Sequence, residues 1–381
     1  MGVGKTIFKK QVIMRNVAGM LIYWNHKVLL VKQKDVETYS IPKGAVENNE
    51  TFLETAKRET EEETGIIIPE HYINKHRYIA SCYCNRCRRK LFYYKAFLPS
   101  SFNAEICIQD NSEITDAGFY DIETALNIIQ ISQIGILWDG GDKLNRKITD
   151  LLVRYGWVTC SRHPSSKLLI YDYTDKCKDE RFWNEVTFWC RGLITDYEGN
   201  IIARPLKKFF EFSQLFNECQ PNATKFLVSD KIDGFLGIMY WIDGIPYLAT
   251  RDSFTSIPAI RGTSILYKKY SNHINNLNPS YTYLFEIVYP NNSLILNYGD
   301  VEDLFLIDIL DHNGKSMINT MDNIPFTCIK HYENDSNLEH YMSENINGRE
   351  GYVIKFPDGE RMKIKFPWFK KEFLHKNENI K

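Results

Sequence analysis

The sequence lacks long hydrophobic runs, a strong excess of either charge, and an organised set of cysteines. No apolar stretch approaches the about 20 residues of a membrane-spanning helix, and we identify no signal peptide. Its 47 basic and 48 acidic residues nearly cancel, so any nucleic-acid-binding surface has to be local. The nine cysteines are odd in number and mostly scattered, which is typical of a reducing compartment. We therefore expect a cytoplasmic protein without membrane contact, and nothing in the sequence indicates an obligate protein partner.

The chain is long enough for two domains. Of its 381 residues, 44% are hydrophobic and 14% are aromatic, enough to fill globular cores. A helical pattern that ends near Trp157 gives way, from Leu168, to short aromatic-rich strands. We predict a first domain at residues 1–137, a connection at 138–163 and a second domain at 164–381.

The first domain opens with strand patterns and then carries the most specific pattern of the chain. Strands are predicted from Val12–Met14 onward, with a hairpin turn at Asn25-His26. An extended segment, Tyr39–Gly44, is expected to end in a glycine turn. Glycine, glutamate and arginine then recur at fixed spacings, at Gly44, Glu50, Arg58, Glu59, Glu62, Glu63 and Gly65. We predict a helix over Thr51–Thr64 that ends at Gly65.

Three carboxylates of this helix share one face. Glu59, Glu62 and Glu63 are spaced i, i+3 and i+4, and like charges at that spacing destabilise a helix unless something compensates them. A hard divalent cation with oxygen ligands does so; Mg²⁺ fits best, and Mn²⁺ can replace it. Arg58 can orient one carboxylate through a charge-assisted hydrogen bond. The alternative is a solvated acidic helix face.

The stretch from Gly44 to Ile66 resembles the signature of the Nudix hydrolases. Every glycine, arginine and glutamate position is filled, and the one departure is Thr60, where the family prefers an apolar residue. The resemblance implies an α/β/α sandwich and Mg²⁺-assisted attack of water on a nucleoside diphosphate linked to another group. By motif position the metal ligands would be Glu59, Glu62 and Glu63, with Glu62 or Glu63 catalytic and nearest the attacked phosphate, and Gly44, Glu50 and Arg58 in support.

Two further features of this domain bear on its substrate. Ile41-Pro42-Lys43-Gly44 resembles the version found in dinucleotide polyphosphate hydrolases and decapping enzymes, which favours a polyphosphate or a 5′ RNA end as substrate. Cys82, Cys84 and Cys87 stand among four basic residues, Arg86, Arg88, Arg89 and Lys90. A zinc site needs a fourth ligand, and none lies at finger-like spacing, so a hairpin tip is favoured over zinc. The basic residues either touch a phosphate chain or are solvated.

The second domain is organised around Lys231-Ile232-Asp233-Gly234. An apolar run precedes it and another follows, which predicts a strand, a sharp turn and a second strand. A lysine beside such a turn can be a covalent nucleophile if its pKa is depressed, and the alternative is a hairpin with a solvated lysine. Near the end of the chain, Lys363 and Lys365 project from one face of a strand while Ile364 points into the core. Two such lysines are costly without an anion, and a nucleotide phosphate is the natural candidate.

The ordered set Lys231, Glu286, Glu350, Lys363 and Lys365 resembles that of covalent nucleotidyltransferases. Arg191-Gly192 and the stretch from Arg204 through Lys208 to Phe210 resemble specifically the ATP-dependent RNA ligases of phage RNA-repair type. The resemblance implies an ATP-grasp-like domain of antiparallel sheets with flanking helices, so the fold class of the whole chain is α/β and α+β. Departures are Asp252, where glycine is expected after Arg251, and the short segment after Lys365, which holds no OB-fold and argues against a DNA ligase or capping enzyme.

The resemblance also implies roles in a reaction with ATP. Lys231 would attack the α-phosphate and form lysyl-AMP, while Lys363 and Lys365 would hold phosphate charge and help to depress the pKa of Lys231. Arg191 and Lys208 would contact the triphosphate or the RNA end. Glu286 and Glu350 would bind the ribose or Mg²⁺. Asp233, with Gly234 beside it in the nucleotide site, would place the turn or the metal.

We therefore predict a bifunctional RNA-repair enzyme. Its ligase would seal 5′-phosphate to 3′-hydroxyl RNA ends, and its Nudix part would process 5′ polyphosphate ends or dinucleotide polyphosphates. Two alternatives stay open. In the first, the Nudix part senses a nucleotide and regulates the ligase. In the second, the C-terminal domain transfers AMP to an acceptor other than RNA.

Overall fold

A computed structural model describes most of the chain. It covers residues 15–84, 87–109, 113–138, 140–211, 225–290, 294–321, 323–332 and 338–378, with the backbone alone described for 15, 81–84, 87–89 and 377–378. The predicted strand at Val12–Met14 lies outside the described residues. The chain forms two compact units. The first comprises residues up to 139 with Asn145–Trp157 and Thr174–Thr187, and the second comprises Gly140–Leu144, Val158–Tyr173 and the chain from Phe188 onward.

The first unit is built on a seven-stranded mixed sheet. Its strands are β1 (Arg15–Trp24), β2 (Lys27–Gln33), β3 (Tyr39–Ser40), β4 (Lys43–Ala45), β5 (Ile73–Cys84), β6 (Cys87–Leu98) and β7 (Ile114–Asp121). Their order is β3-β2-β1-β6-β5, with β4 paired to β1 and β7 to β2. Only β1 and β6 run parallel among these pairs of described strands. The predicted hairpin turn is confirmed, because Asn25 and His26 take φ of 48° and 61° between β1 and β2.

Helices α1 (Phe52–Thr64) and α2 (Ile122–Ile128) pack against this sheet, and further helices of the unit follow later in the chain. These are α3 (Arg146–Arg154) and α4 (Asp175–Asp179); α5 (Glu185–Trp189) follows them. Helix α1 lies where the sequence predicts it. Thr51 and Glu54 form a reciprocal capping box at its start, and Gly65 ends it in the left-handed conformation. Ala56, on the buried side of α1, joins a core with Met20, Ile22 and Leu29 of the sheet.

One sequence expectation in this region is wrong, and one departure from the family pattern has a structural explanation. Gly44 does not end a turn, because Lys43–Ala45 pairs with Val17–Gly19 of β1 as a strand. Thr60 replaces the apolar residue preferred in Nudix helices and is nevertheless fully buried. Its hydroxyl donates to the carbonyl oxygen of Ala56 at 2.7 Å, so the buried polar atom is satisfied within the helix.

The second unit contains three sheets. The first comprises β8 (Val158–Arg162), β9 (Leu168–Tyr173), β10 (Arg191–Asp196) and β11 (Ile201–Ala203). The second runs in the order β12 (Phe210–Glu211), β21 (Arg361–Lys365), β20 (Gly351–Lys355), β13 (Leu227–Lys231) and β19 (His331–Tyr332). The third runs in the order β15 (Ile245–Ala249), β14 (Phe235–Ile242), β16 (Thr282–Val288), β17 (Asp303–Leu310) and β18 (Thr327–Cys328). Helices α6 (Ile257–Tyr270), α7 (Leu338–Ser343) and α8 (Pro367–Glu378) flank them.

The predicted strand, turn and strand around Lys231 is present, but it is not a hairpin. Strand β13 ends at Lys231 and belongs to the second sheet, whereas β14 begins at Phe235 and belongs to the third. The turn therefore carries the chain from one sheet to the other and places Lys231 where they meet. The fold is the expected mixture of α/β and α+β elements, and no helix among the described residues is long and apolar enough to cross a membrane.

The end of α1 gives a stability prediction. Gly65 has φ of 74°, and a Cβ there would lie 2.9 Å from the carbonyl oxygen of Cys107. Gly156, after α3 in the same unit, has φ of 78° but its nearest neighbour would be Lys176 Cδ at 3.8 Å. We expect Gly156→Ala to lose about 1–2 kcal/mol from backbone strain alone, and Gly65→Ala to lose more. Calorimetry of full-length variants measures this, and equal losses would contradict a role for the Cys107 contact.

Candidate functional site

A cavity of about 180 Å³ in the second unit collects most of the predicted nucleotide-site residues. It is lined by residues of both five-stranded sheets. The predicted residues that line it are Arg191, Lys231, Glu286, Lys363 and Lys365. Glu350 joins them through its ion pairs with two of these lysines. Residues from four strands, together with Glu350 just before β20, therefore converge on one space.

Glu350 holds the predicted nucleophile. Its Oε1 lies 2.8 Å from Lys231 Nζ and 2.9 Å from Lys365 Nζ, and its side chain is only 3% exposed. Burial favours the neutral amine of Lys231, but the charges of Glu350 and Glu286 outweigh burial and raise its pKa. The expected depression of the Lys231 pKa by Lys363 and Lys365 is therefore wrong, because the charges of the two carboxylates have the larger effect.

The pKa of Lys363 is depressed, as is that of Lys355, which also lines the cavity. Lys363 shares a face of β21 with Lys365 while Ile364 is buried between them, as the alternation predicts. Burial, reinforced by the charges of Lys208 and Lys231, lowers the pKa of Lys363 to about 7. Lys208 Nζ donates to the carbonyl oxygen of Phe209 at 3.0 Å. An anion in the cavity would relieve this crowding of positive charge.

Arg191 stands on the same wall of the cavity. Its guanidinium carbon lies 5.6 Å from the ring centroid of Phe209, and Lys363 Nζ lies 5.8 Å from the same ring. The next residue, Gly192, has φ of 100°, and a Cβ there would lie 2.1 Å from Ile238 Cδ1. Glycine at this position therefore lets Arg191 approach the core without a clash.

The turn after Lys231 is fixed by Asp233. Its Oδ2 accepts hydrogen bonds from the backbone N–H groups of Ile295 and Leu296 at 2.7 and 2.9 Å. Its own N–H donates to the hydroxyl of Tyr298 at 2.9 Å. Of the two roles considered for Asp233, these contacts favour placing the turn.

Gly234 allows β14 to approach Glu286. A Cβ at Gly234 would lie 2.5 Å from Glu286 Cγ and 2.9 Å from the carbonyl oxygen of Ile287. Burial raises the pKa of Glu286 to about 7. A buried carboxylate of this kind is suited to accept from a hydroxyl or to face a cation.

The acidic helix of the first unit is organised by Arg58. Its guanidinium donates to Glu50 Oε1 at 2.8 Å, to Glu59 Oε1 at 2.8 Å and to Glu62 Oε2 at 2.9 Å. These contacts lower the pKa of Glu50 to about 2, with Arg58 as the main cause. Gly44 is required beside them, because a Cβ there would lie 2.0 Å from the carboxyl carbon of Glu59.

Comparison with known proteins identifies both units. Residues 14–135 match the family model for the NUDIX domain, and residues 189–376 match the family model for RNA ligase. The chain carries a NUDIX domain followed by an RNA ligase domain. No curated protein matches the sequence.

Solved structures resemble the NUDIX domain. The Ap4A hydrolase of C. elegans, in a binary complex, is 20% identical over 37% of this chain and 99% of its own, with a TM-score of 0.29. The NUDIX domain of Shewanella oneidensis NrtR, with ADP ribose, is 19% identical over 30% of this chain and 77% of its own, with a TM-score of 0.26. The MutT protein of Methanosarcina mazei Go1 is 16% identical over 37% and 92%, with a TM-score of 0.27. Likeness at this level does not indicate a shared substrate.

The three NUDIX glutamates provide the oxygen ligands that a hard divalent cation prefers. Burial raises the pKa of Glu59, and it raises that of Glu63 to about 7, so neither carboxylate is fully compensated by the protein. Glu63 Oε2 accepts from the Lys43 N–H at 3.0 Å, while Glu62 is 57% exposed and held by Arg58. Across the described ranges, no three His, Cys, Asp or Glu side chains lie close enough together to hold an ion. The assignment of these three glutamates to a metal thus stays a prediction.

The cysteine cluster is only partly described. Strands β5 and β6 pair as far as Cys84 opposite Cys87, which places the predicted hairpin tip there. The side chains of Cys82, Cys84 and Cys87 lie outside the described residues. Zinc therefore stays a prediction with its alternative open.

Sequence reasoning missed two buried aspartates of the second unit, which together form three ion pairs. Asp172, 4% exposed on β9, accepts from Arg251 Nε at 2.9 Å. Asp308, 2% exposed on β17, pairs with Lys355 and Arg361 at the cavity wall. Each is the only acidic residue inside an otherwise apolar or aromatic segment, in LLIYDY and LFLIDIL, and that isolation is the signal that could have found them.

The Glu350 ion pairs give a second prediction. Replacing Glu350 by Gln removes the charge that raises the pKa of Lys231, so the Lys231 amine should titrate at lower pH. Amine labelling across pH without nucleotide, followed by peptide mass spectrometry, measures this. Asp308→Asn is the matched control, since its partners are other lysine and arginine residues of the same cavity. An unchanged Lys231 titration in Glu350→Gln would contradict the assignment.

Proposed function

We propose that the protein is a bifunctional RNA-repair enzyme in which an ATP-dependent RNA ligase works beside a NUDIX pyrophosphohydrolase. The observation that carries the proposal is the cavity around Lys231, where a lysine at a strand end meets the carboxylates of Glu286 and Glu350 and the cations Arg191, Lys363 and Lys365. The domain boundaries we propose are residues 1–137 and 164–381, with a connection at 138–163. Free cysteines among the described residues, such as Cys107 and Cys328, support a reducing cytoplasm as its location.

In the ligase, Lys231 Nζ would attack the α-phosphorus of ATP. An N–P bond forms as the bond to the pyrophosphate oxygen breaks, and the amine loses a proton. Because the charges of Glu350 and Glu286 raise the pKa of Lys231, the amine has to give up a proton before it attacks. Lys363, Lys365 and Arg191 would neutralise phosphate charge, which is the main source of rate enhancement in phosphoryl transfer.

The second and third steps would use the same site. The AMP passes from Lys231 to an RNA 5′-phosphate, and a 3′-hydroxyl then displaces AMP to seal the strand. Lys208 lies close enough to Lys363 for its charge to lower the pKa of that lysine, so it can contact the triphosphate or the RNA end. Glu286 would accept from the ribose or face Mg²⁺, and Asp233 and Gly234 would hold the turn in place.

In the NUDIX domain, Glu59, Glu62 and Glu63 would hold Mg²⁺, which Mn²⁺ can replace. The metal, when bound, would activate water and neutralise the leaving phosphate. Arg58 keeps Glu59 and Glu62 oriented, and its bond to Glu50 fixes the guanidinium. We propose 5′ polyphosphate RNA ends or dinucleotide polyphosphates as substrates. The first would supply the 5′-monophosphate that ligation needs, and the second would remove a by-product of AMP transfer to ATP.

Two alternatives make different predictions. A NUDIX domain that only senses nucleotide would bind it and alter ligation without turnover. A second domain that adenylylates another acceptor would form lysyl-AMP but no sealed RNA.

Strand joining tests the ligase proposal. The wild type with ATP and Mg²⁺ should seal single-stranded RNA with a 5′-phosphate and a 3′-hydroxyl, and Lys231→Ala should not, because it has no nucleophile. RNA with a 5′-hydroxyl is the matched substrate control, since it cannot accept AMP. Lysyl-AMP without any sealed product would favour a non-RNA acceptor instead.

Cleavage of both candidate substrates tests the NUDIX proposal, followed as pyrophosphate released from 5′-triphosphate RNA and as the two nucleotides formed from a dinucleotide polyphosphate. Glu62→Gln should reduce turnover on the order of 10²-fold or more, the effect of removing one group that acts on the attacking water. Glu61→Gln is the control, because Glu61 is exposed on the same helix and is not one of the predicted ligands. If the wild type cleaves neither substrate, the hydrolase proposal is wrong, and the alternative of a nucleotide-sensing NUDIX domain is favoured.

A further inference from the structure

Helix α8 carries an aromatic face that begins beside Lys365, a residue of the ligase cavity, and reaches the surface. Phe369 and Phe373 are four residues apart and so lie on one side of the helix. Phe369 is 1% exposed and Phe373 is 48% exposed. Lys365 Nζ lies 5.0 Å from the ring centroid of Phe369 and 5.8 Å from that of Phe373. The exposed ring of Phe373 thus lies beside Lys365, the lysine that pairs with Glu350 in the cavity.

The same helix is basic where it meets solvent. Its sequence contains three lysines and a histidine against two glutamates. Lys371 and His375 are exposed, and Lys370, 45% exposed, pairs with Glu211 at 2.7 Å. The helix therefore offers exposed basic side chains to solvent in a chain whose net charge is −1.

An exposed ring beside lysines suits single-stranded nucleic acid. Surfaces that bind it combine basic residues that follow the phosphates with aromatic rings on which bases stack. A protein partner is the less favoured occupant, because the centres of protein interfaces are depleted in lysine. The ring is also placed beside Lys365, where a phosphate would be held.

We propose that Phe373 stacks on a base of the RNA strand whose 5′ end enters the cavity at Lys231. The proposal rests on the proposed ligase function and adds to it the surface that binds the RNA. It assigns RNA binding to a helix that directly follows the last lysine of the nucleotide site. No separate RNA-binding domain is needed for this contact.

The test starts from isolated wild-type or variant protein that already carries lysyl-AMP. Each is mixed with single-stranded 5′-phosphate RNA without ATP, and AMP transfer is followed over a range of RNA concentrations. Phe373→Ala should raise the half-saturating RNA concentration about tenfold, the effect of losing one base-stacking contact, with a smaller change in the maximal rate. Phe373→Trp should restore binding and Phe373→Leu should not. Leu374→Ala, at an apolar neighbour that is 60% exposed, should behave as wild type.

Two results would overturn the proposal. One is an unchanged half-saturating concentration in Phe373→Ala, and the other is an equal loss in Leu374→Ala, which would indicate a merely apolar surface. Failure of every protein to form lysyl-AMP would instead count against the ligase function. In that case fluorescence anisotropy with labelled RNA compares the same variants directly, and equal affinity of Phe373→Ala and wild type would overturn the stacking contact.

Discussion

The RNA ligase site depends on one buried carboxylate. Glu350 is 3% exposed and shares its Oε1 between Lys231 and Lys365, which lie on two different strands. A charge so far from water is stable only with partners, and either lysine alone would leave a less compensated site. The register of β13, β20 and β21 follows the same arrangement, because Gly351, next to Glu350, pairs with both Lys231 and Lys365. The ion pairs and the strand pairing thus support each other.

The NUDIX helix shows the same principle with the charges reversed. One cation, Arg58, serves three carboxylates, whereas Glu63 accepts from the backbone N–H of Lys43 and is stabilised by the charge of the Lys43 side chain. Burial then raises the pKa of Glu59 and Glu63 because the protein does not supply enough positive charge. In both domains, polar groups are brought together at a cost that a charged substrate or metal would offset. Such sites are where function concentrates.

Much of this was predictable from local sequence, because local rules govern it. The ends of α1 follow from Thr51 and Gly65, and the alternation of Lys363, Ile364 and Lys365 follows from strand geometry. The balance of charges around Lys231 was harder to predict from the sequence. The pKa of Lys231 depends on which of several distant carboxylates approaches it, and spacing along the chain does not encode that distance. Asp172 and Asp308 were missed for the same reason, since their partners are remote in sequence.

In the proposed ligase reaction, Lys231 becomes covalently joined to AMP. Incubating the wild type and Lys231→Ala with α-labelled ATP and Mg²⁺, followed by a denaturing gel, tests it most directly. We predict a labelled band for the wild type alone, with the label mapping to the peptide that contains Lys231. Label that persists in Lys231→Ala, or no label on a wild-type protein shown to bind ATP, would contradict the account.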